Sequence, residues 1–399
     1  MRQVLLRPDV QRFIREHLDD DVSRLVLRAD QYPGLPVVEI ARQIGARQKA
    51  KTKLPLWYAN ERVIFPPVLS LEQSSSQLTA TYKARLAEGD TLVDLTGGMG
   101  VDAFFLARHF RQVIHVERDA ELSALAAHNF RELGADNITC IHGEAETYLA
   151  RMPGKVDWIY LDPARRMESR STSNGRVFRL EDCEPDVLGL LPGLQEKAER
   201  VLLKTSPMLD IDLALHQLNA RAATVLAVEN ECKEVLYLLP NQPDREATLT
   251  AVDWSTTSGG EPFVFTRREE KDAQVTFSEP LAFLYEPNAA LLKAGAFRLV
   301  ATRYGLHKLH PHTHLYTSEA RRADFPGRTF AIQTVSKLNK KALLAHLPAG
   351  KAHVAVRNFP LSVADIRRQT GIREGGDVYL FAVTDHRDRK VVLVGRKVQ

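Results

Sequence analysis

Apolar residues recur at helical spacing through the first stretch of the chain. Val10, Phe13, Ile14 and Leu18 mark one helical face over residues 9–18, and Val22, Leu25 and Val26 mark another over residues 20–27. Pro33 and Pro36 interrupt the pattern before a third helix expected at 37–44. The basic run Arg47, Lys49, Lys51 and Lys53, followed by Trp57 and Tyr58, reads as a solvated linker, with a basic and aromatic nucleic-acid surface as the alternative. Residues 1–70 are therefore expected to form an all-helical unit.

The period then changes. Ser74, Ser75 and Ser76 offer a cap for a helix whose face carries Leu78, Tyr82 and Leu86. Short apolar runs follow at 91–95, 112–116, 137–141, 156–161, 200–204, 223–228 and 234–239. Helical patterns separate them, notably 119–133 with Leu122, Leu125, Ala126, Phe130 and Leu133, and 187–199. Strand and helix in alternation predict a parallel sheet, and the short polar turn at 229–233 predicts that its last two strands form a hairpin. Past Pro240 the chain turns polar, with short strands at 247–254 and 262–267. A helix bearing Ala289, Leu292 and Phe297 comes next, then strands at 329–335, 352–356, 378–384 and 391–395 around a helix at 363–370 capped by Ser362. That composition predicts a small α+β domain. His307, His310, His312 and His314 lack metal-ligand spacing and read as a solvated loop.

The chemistry concentrates after the first buried strand. Gly97, Gly98 and Gly100 let the backbone turn and approach a ligand, and Val101, Phe104, Phe105, Leu106 and Phe110 start a helix whose positive end faces that ligand. The next strand ends on Glu117, about 20 residues after the first glycine, where dinucleotide folds place the carboxylate that grips a ribose diol. Gly98, Gly100 and Ala103 also satisfy a loose Gly-x-Gly-x-x-Ala pattern, so the glycines alone leave NAD open.

Asp94, four positions before Gly98, tilts the choice: Asp-x-x-x-Gly-x-Gly resembles the first motif of class I S-adenosylmethionine (SAM) dependent methyltransferases. The resemblance implies an α/β fold with a Rossmann-like, mostly parallel sheet and an antiparallel last strand. By the same resemblance Asp94, Thr96, Gly97, Gly98, Gly100, Glu117, Arg118, Glu144, Ala145 and Asp162 would bind cofactor, with Glu144 standing where the family usually has Asp. Asp162-Pro163 resembles the fourth motif of the amino-methylating branch, whose acidic residue orients an exocyclic amine; guanine-N2 enzymes, including the trimethylguanosine synthase type, look most similar. Ala164 and Arg165 depart from that motif by replacing its second proline and its aromatic residue. Arg165 or Arg166 would then stack on a base or pair with phosphate, Phe178 would supply the missing ring, and Lys204 is a candidate phosphate contact.

At 399 residues the chain exceeds one ordinary core, so about two to three domains are expected. No apolar stretch is long enough to span a bilayer, the N-terminus has no signal-peptide pattern, and a cytoplasmic protein is expected. Cys140, Cys183 and Cys232 are scattered and fit neither a disulfide framework nor structural zinc. Charge is unevenly spread. From Ala320 onward there are sixteen Lys and Arg against six Asp and Glu, although the whole chain carries only +4. Such a surplus favours a polyanionic partner.

The segments 285–297, 305–318 and 357–376 resemble bacterial methyltransferases with a ferredoxin-like insert and a C-terminal THUMP-like domain, a type implied to bind structured RNA. The expected organisation is a helical unit at 1–70, a SAM-dependent methyltransferase domain at 71–242, a ferredoxin-like α+β segment at 243–325 and a THUMP-like α+β domain at 326–399. The expected activity is SAM-dependent methylation of an exocyclic amine, guanine N2, in structured RNA. The alternatives are an RNA-binding protein with a non-catalytic SAM site and an NAD-dependent oxidoreductase.

Overall fold

The computed structural model describes residues 2–165, 179–240, 246–255 and 259–398, and the chain divides into two compact units. The first contains residues up to Val228 with Lys233–Ala247 and Trp254–Glu261; the second contains Glu229–Cys232, Thr248–Asp253 and all residues from Pro262.

Helices Pro8–Glu16, Val22–Leu27 and Val37–Lys53 open the first unit. The third runs nine residues past the expected end at 44, because Ala46, Arg47 and Ala50 continue its buried face. Arg47 is 5% exposed and donates to the carbonyls of Glu61 (2.5 Å) and Val63 (2.8 Å), which offsets the cost of burying its charge. Trp57 is fully buried. The basic stretch is thus helix and not a linker, with Arg47 packed inside while Lys49 and Lys51 stay exposed. Val10, Ile14, Ile40 and Ile44 share one core with Leu125, and the Asn129 amide pins Ile64 through both its backbone N–H (3.0 Å) and its carbonyl (2.8 Å).

The strands that follow are β1 (Gly89–Asp94), β2 (Phe110–Glu117), β3 (Ile138–His142), β4 (Val156–Leu161), a two-residue pair β5 (Ala164–Arg165) and β6 (Cys183–Glu184), then β7 (Ala198–Thr205), β8 (Ala222–Val228) and β9 (Glu231–Pro240). Seven of them form one sheet in the order β8-β9-β7-β4-β1-β2-β3. From β7 to β3 the neighbours are parallel, whereas β9 enters antiparallel to β7. Leu92, Val93, Ile159, Tyr160, Val201, Leu202 and Leu203 are all buried, as strands covered on both faces require. The chain leaves β1 for β2 and β3 on one side and returns to β4 on the other. The carboxyl ends of β1 and β4 therefore flank a topological switch point, where open α/β sheets bind ligands.

Strands β10 (Thr248–Trp254) and β11 (Phe263–Thr266) pair antiparallel. The second unit is built on β12 (Phe283–Pro287), β13 (His307–His310), β14 (Thr313–Ser318), β15 (Gly327–Ser336), β16 (His353–Arg357), β17 (Val378–Thr384) and β18 (Lys390–Lys397), in the order β13-β14-β12-β15-β18-β17-β16. Helix Val363–Thr370 crosses between the parallel pair β16 and β17; Ser362 and Asp365 cap it reciprocally, and Gly371 ends it at φ +72°. Two expectations fail here. The helix in 285–297 is only Ala289–Ala294, since Gly295 at φ +79° stops it and leaves Phe297 outside. The histidines lie not in a solvated loop but in the hairpin β13–β14, where Leu309, Leu315 and Tyr316 are fully buried. The His314 ring stacks on Phe297 at 3.6 Å; its burial first, then the charges of Lys308 and His312, lower its pKa to about 4. Among the described residues no helix is long and apolar enough to cross a membrane.

Candidate active site

Three glycines shape the loop after β1. Gly98 (φ +57°) and Gly100 (φ +85°) occupy backbone conformations that side chains resist. A Cβ on Gly97 would lie 2.4 Å from the His115 ring, and one on Gly100 would lie 2.2 Å from Phe130 Cζ. Gly98 is different: its Cβ direction meets nothing nearer than the Thr96 carbonyl at 3.9 Å, so open space lies above the loop. Underneath, His115 is wholly buried, and desolvation lowers its pKa to about 4.

Two carboxylates brace the loop. Glu117, at the end of β2, accepts from Gly98 N–H (2.7 Å) with one oxygen and from Asp119 N–H (2.7 Å) with the other. Each carboxylate oxygen has a second acceptor position, so a ribose diol can be accepted without breaking these bonds. Asp94 is 1% exposed and accepts from Thr96 N–H at 3.0 Å. Burial pushes the Asp94 pKa well above the usual carboxylate range. An uncovered glycine surface beside a braced carboxylate fits an adenosine group.

Thr96 joins this loop to the next. Its hydroxyl accepts from the Asp162 N–H at 2.6 Å, so the turn after β1 and the turn after β4 are tied directly. Asp162 Oδ2 in turn meets Lys204 Nζ at 2.5 Å, and among the described residues Oδ1 has no hydrogen-bonding partner. Pro163 is buried behind it. Lys204 is only 12% exposed in its side chain, not the surface residue that a phosphate contact implies. Burial alone would favour its neutral form, but the charges of Asp162, Glu234 and Asp102 outweigh it and hold the proton on.

Behind Lys204 lies a buried polar cluster that sequence reasoning missed. Glu234 Oε2 is 4.0 Å from Lys204 Nζ, while Lys83 Nζ donates to both Glu234 oxygens (2.7 and 2.9 Å) and to Ser75 (2.9 Å). Lys83 also lies 3.1 Å from Asp102, which accepts from Tyr160 (2.7 Å) and Ser75 (2.8 Å). The available signals were local. Glu234 opens the apolar run Val235–Leu239, and Lys83 shares a helix face with Ala80 and Ala84.

The remaining candidates are less engaged. The Arg118 guanidinium pairs with Glu184 at 2.6 Å, Glu144 is exposed at the start of helix Ala145–Arg151 without capping it, and Ala145 is buried. The Arg165 side chain, Arg166 and Phe178 lie outside the described residues.

The crystal structure of a protein assigned as a methyltransferase from Porphyromonas gingivalis W83 superposes on the chain with a TM-score of 0.87. The two are 34% identical, and the match covers 100% of this chain and 98% of that one. This chain belongs to the class I SAM-dependent methyltransferases with a C-terminal THUMP-like domain. Residues 283–326 of the methyltransferase match a ferredoxin-like domain family and 327–397 a THUMP domain-like family. The uncharacterized SAM-dependent methyltransferase Rv3037c of Mycobacterium tuberculosis H37Rv is 25% identical over 321 residues, 76% of this chain and 80% of that relative. Ribosomal RNA small subunit methyltransferase J of Shewanella loihica is 33% identical over 128 residues, 29% of this chain and 49% of its own length. SAM is the cofactor of the methyltransferase, and the NAD alternative is set aside.

Proposed function

We propose that this enzyme methylates structured RNA at an exocyclic amine, the N2 of guanine. The observation that carries the reading is Asp162: a partly exposed carboxylate tied to the glycine loop through Thr96, whose Oδ1 has no hydrogen-bonding partner among the described residues. When bound, SAM supplies an electrophilic methyl group on a sulfonium centre. In this reading Asp94, Thr96, Gly97, Gly98, Gly100 and Glu117 hold the cofactor, with Arg118, Glu144 and Ala145 at its rim. Asp162 accepts one amine hydrogen and turns the nitrogen lone pair toward the methyl carbon, while Pro163 fixes the turn that presents the carboxylate. The surplus amine proton would leave to solvent while Asp162 keeps hold of the hydrogen it accepts.

RNA as the substrate is supported by the THUMP-like match at 327–397, by the activity named for the ribosomal RNA relative and by the positive surplus from Ala320 onward. Arg165, Arg166 and Phe178 are proposed to face the base. Mass spectrometry of nucleosides from a strain lacking the gene tests this reading: one N2-methylguanosine signal should disappear and return on complementation. An unchanged nucleoside profile would refute it.

A further inference from the structure

Lys204 is the one cation seated against the proposed amine acceptor among the described residues, yet its surroundings are those of an interior residue. Its ammonium reaches Asp162 Oδ2 at 2.5 Å and looks back toward Glu234 at 4.0 Å. Glu234 is 2% exposed and is gripped at both oxygens by the fully buried Lys83, whose other neighbours are Ser75 and Asp102. Two lysines therefore alternate with three carboxylates along one path from the core to the turn after β4. An apolar core of the same volume would be at least as stable, since burying ion pairs costs desolvation that their attraction often fails to recover. What the path does supply is position. Asp162 is one-third exposed in its side chain, and its Oδ2 is held by a lysine that is itself held.

We propose that Lys204 is a positioning residue for methyl transfer that acts through Asp162 and does not touch the substrate, with Glu234 and Lys83 setting where it stands. The inference rests on the acceptor role proposed for Asp162. By holding Oδ2, Lys204 sets the direction in which Oδ1 accepts one N–H. A misplacement of about 1 Å at such a site costs on the order of 100-fold in rate.

The test is a double-mutant cycle on the full chain. Labelled SAM is incubated with extract from a strain lacking the gene, and label is counted separately in RNA and in protein. Lys204→Met should lower kcat about 100-fold with SAM affinity unchanged, Lys204→Arg should recover part of the loss, and Lys204→Met in an Asp162→Asn background should cost nothing further. Glu234 keeps Lys83 in the Lys204→Met variant, so the fold is expected to survive; if SAM binding is nonetheless lost, Lys204→Arg carries the comparison alone. A raised KM with a shallower salt dependence and an unchanged kcat would make Lys204 a phosphate contact and overturn the inference, as would additive losses. Label in protein alone would refute the RNA reading and still leave the Lys204 cycle readable. A wild type that labels nothing would end both.

Discussion

The backbone N–H of Asp162 donates to the Thr96 hydroxyl at 2.6 Å, so the loop that follows β1 and the loop that follows β4 are tied directly. In the proposed reading, cofactor and methyl acceptor approach from these two loops. Removing the hydroxyl separates them: Thr96→Val should cost about 1–3 kcal/mol at this bond, read as a kcat loss of roughly 5- to 160-fold, while Thr96→Ser should stay near wild type. Equal rates for the Val and Ser variants would mean that the link has no role.

Glu117 braces Gly98 and Asp119 through two backbone donors. Glu117→Gln replaces one acceptor oxygen with an NH2 group facing an N–H, and hydrogen bonds to charged groups contribute about 1.5–3 kcal/mol. SAM affinity by titration calorimetry should therefore fall roughly 10- to 100-fold. Asp162→Asn should bind SAM within a few-fold of wild type, separating cofactor binding from acceptor positioning.

The loop tolerates no side chain at two places. Gly97→Ala should lose SAM binding because its Cβ would overlap the His115 ring at 2.4 Å, and His115→Ala should restore part of it. Gly100→Ala has both a positive φ of +85° and Phe130 at 2.2 Å against it, and should not be rescued by a single small substitution at Phe130.

His115 also makes stability pH-dependent. Its pKa falls from 6.5 to about 4 on folding, so the unfolded chain binds the extra proton first as pH drops. The stabilisation is whole above pH 6.5 and is lost as pH falls toward 4, by roughly 3 kcal/mol at the bottom of that window. The melting temperature of His115→Leu should decline less steeply across this range than that of wild type. Parallel curves would assign the acid sensitivity elsewhere.

Breaking the buried cluster should unfold the enzyme more readily than it alters chemistry. Lys83→Met leaves Glu234 and Asp102 buried without their shared cation, a loss of about 3–5 kcal/mol in chemical denaturation. Stability within 1 kcal/mol of wild type would contradict the pairing.

The places of the glycine loop, Glu117 and Asp162 at the carboxyl ends of β1, β2 and β4 were legible because they are written in local order: strand, turn, helix, strand, with backbone demands that few residues meet. The mostly parallel sheet was legible from alternating strand-length apolar runs, the β8–β9 hairpin from its short turn, and the antiparallel last strand from the family resemblance. Lys83 and Glu234 were not. They are 151 positions apart, and a charged residue within an apolar pattern reads as surface until the fold supplies its partner. Arg47 misled in the same way, because the carbonyls that make its burial tolerable come from residues 58–63 and not from its own helix. In the histidine segment the run of imidazoles hid Leu309, Leu315 and Tyr316, the buried positions of a hairpin.

The most direct measurement is methyl transfer from labelled SAM to RNA of a strain lacking the gene, with wild type and Asp162→Asn side by side. The expected result is label recovered as N2-methylguanosine with wild type, and a loss of at least 100-fold with Asp162→Asn at unchanged SAM affinity. Undiminished transfer by Asp162→Asn, or label found only outside RNA, would contradict it.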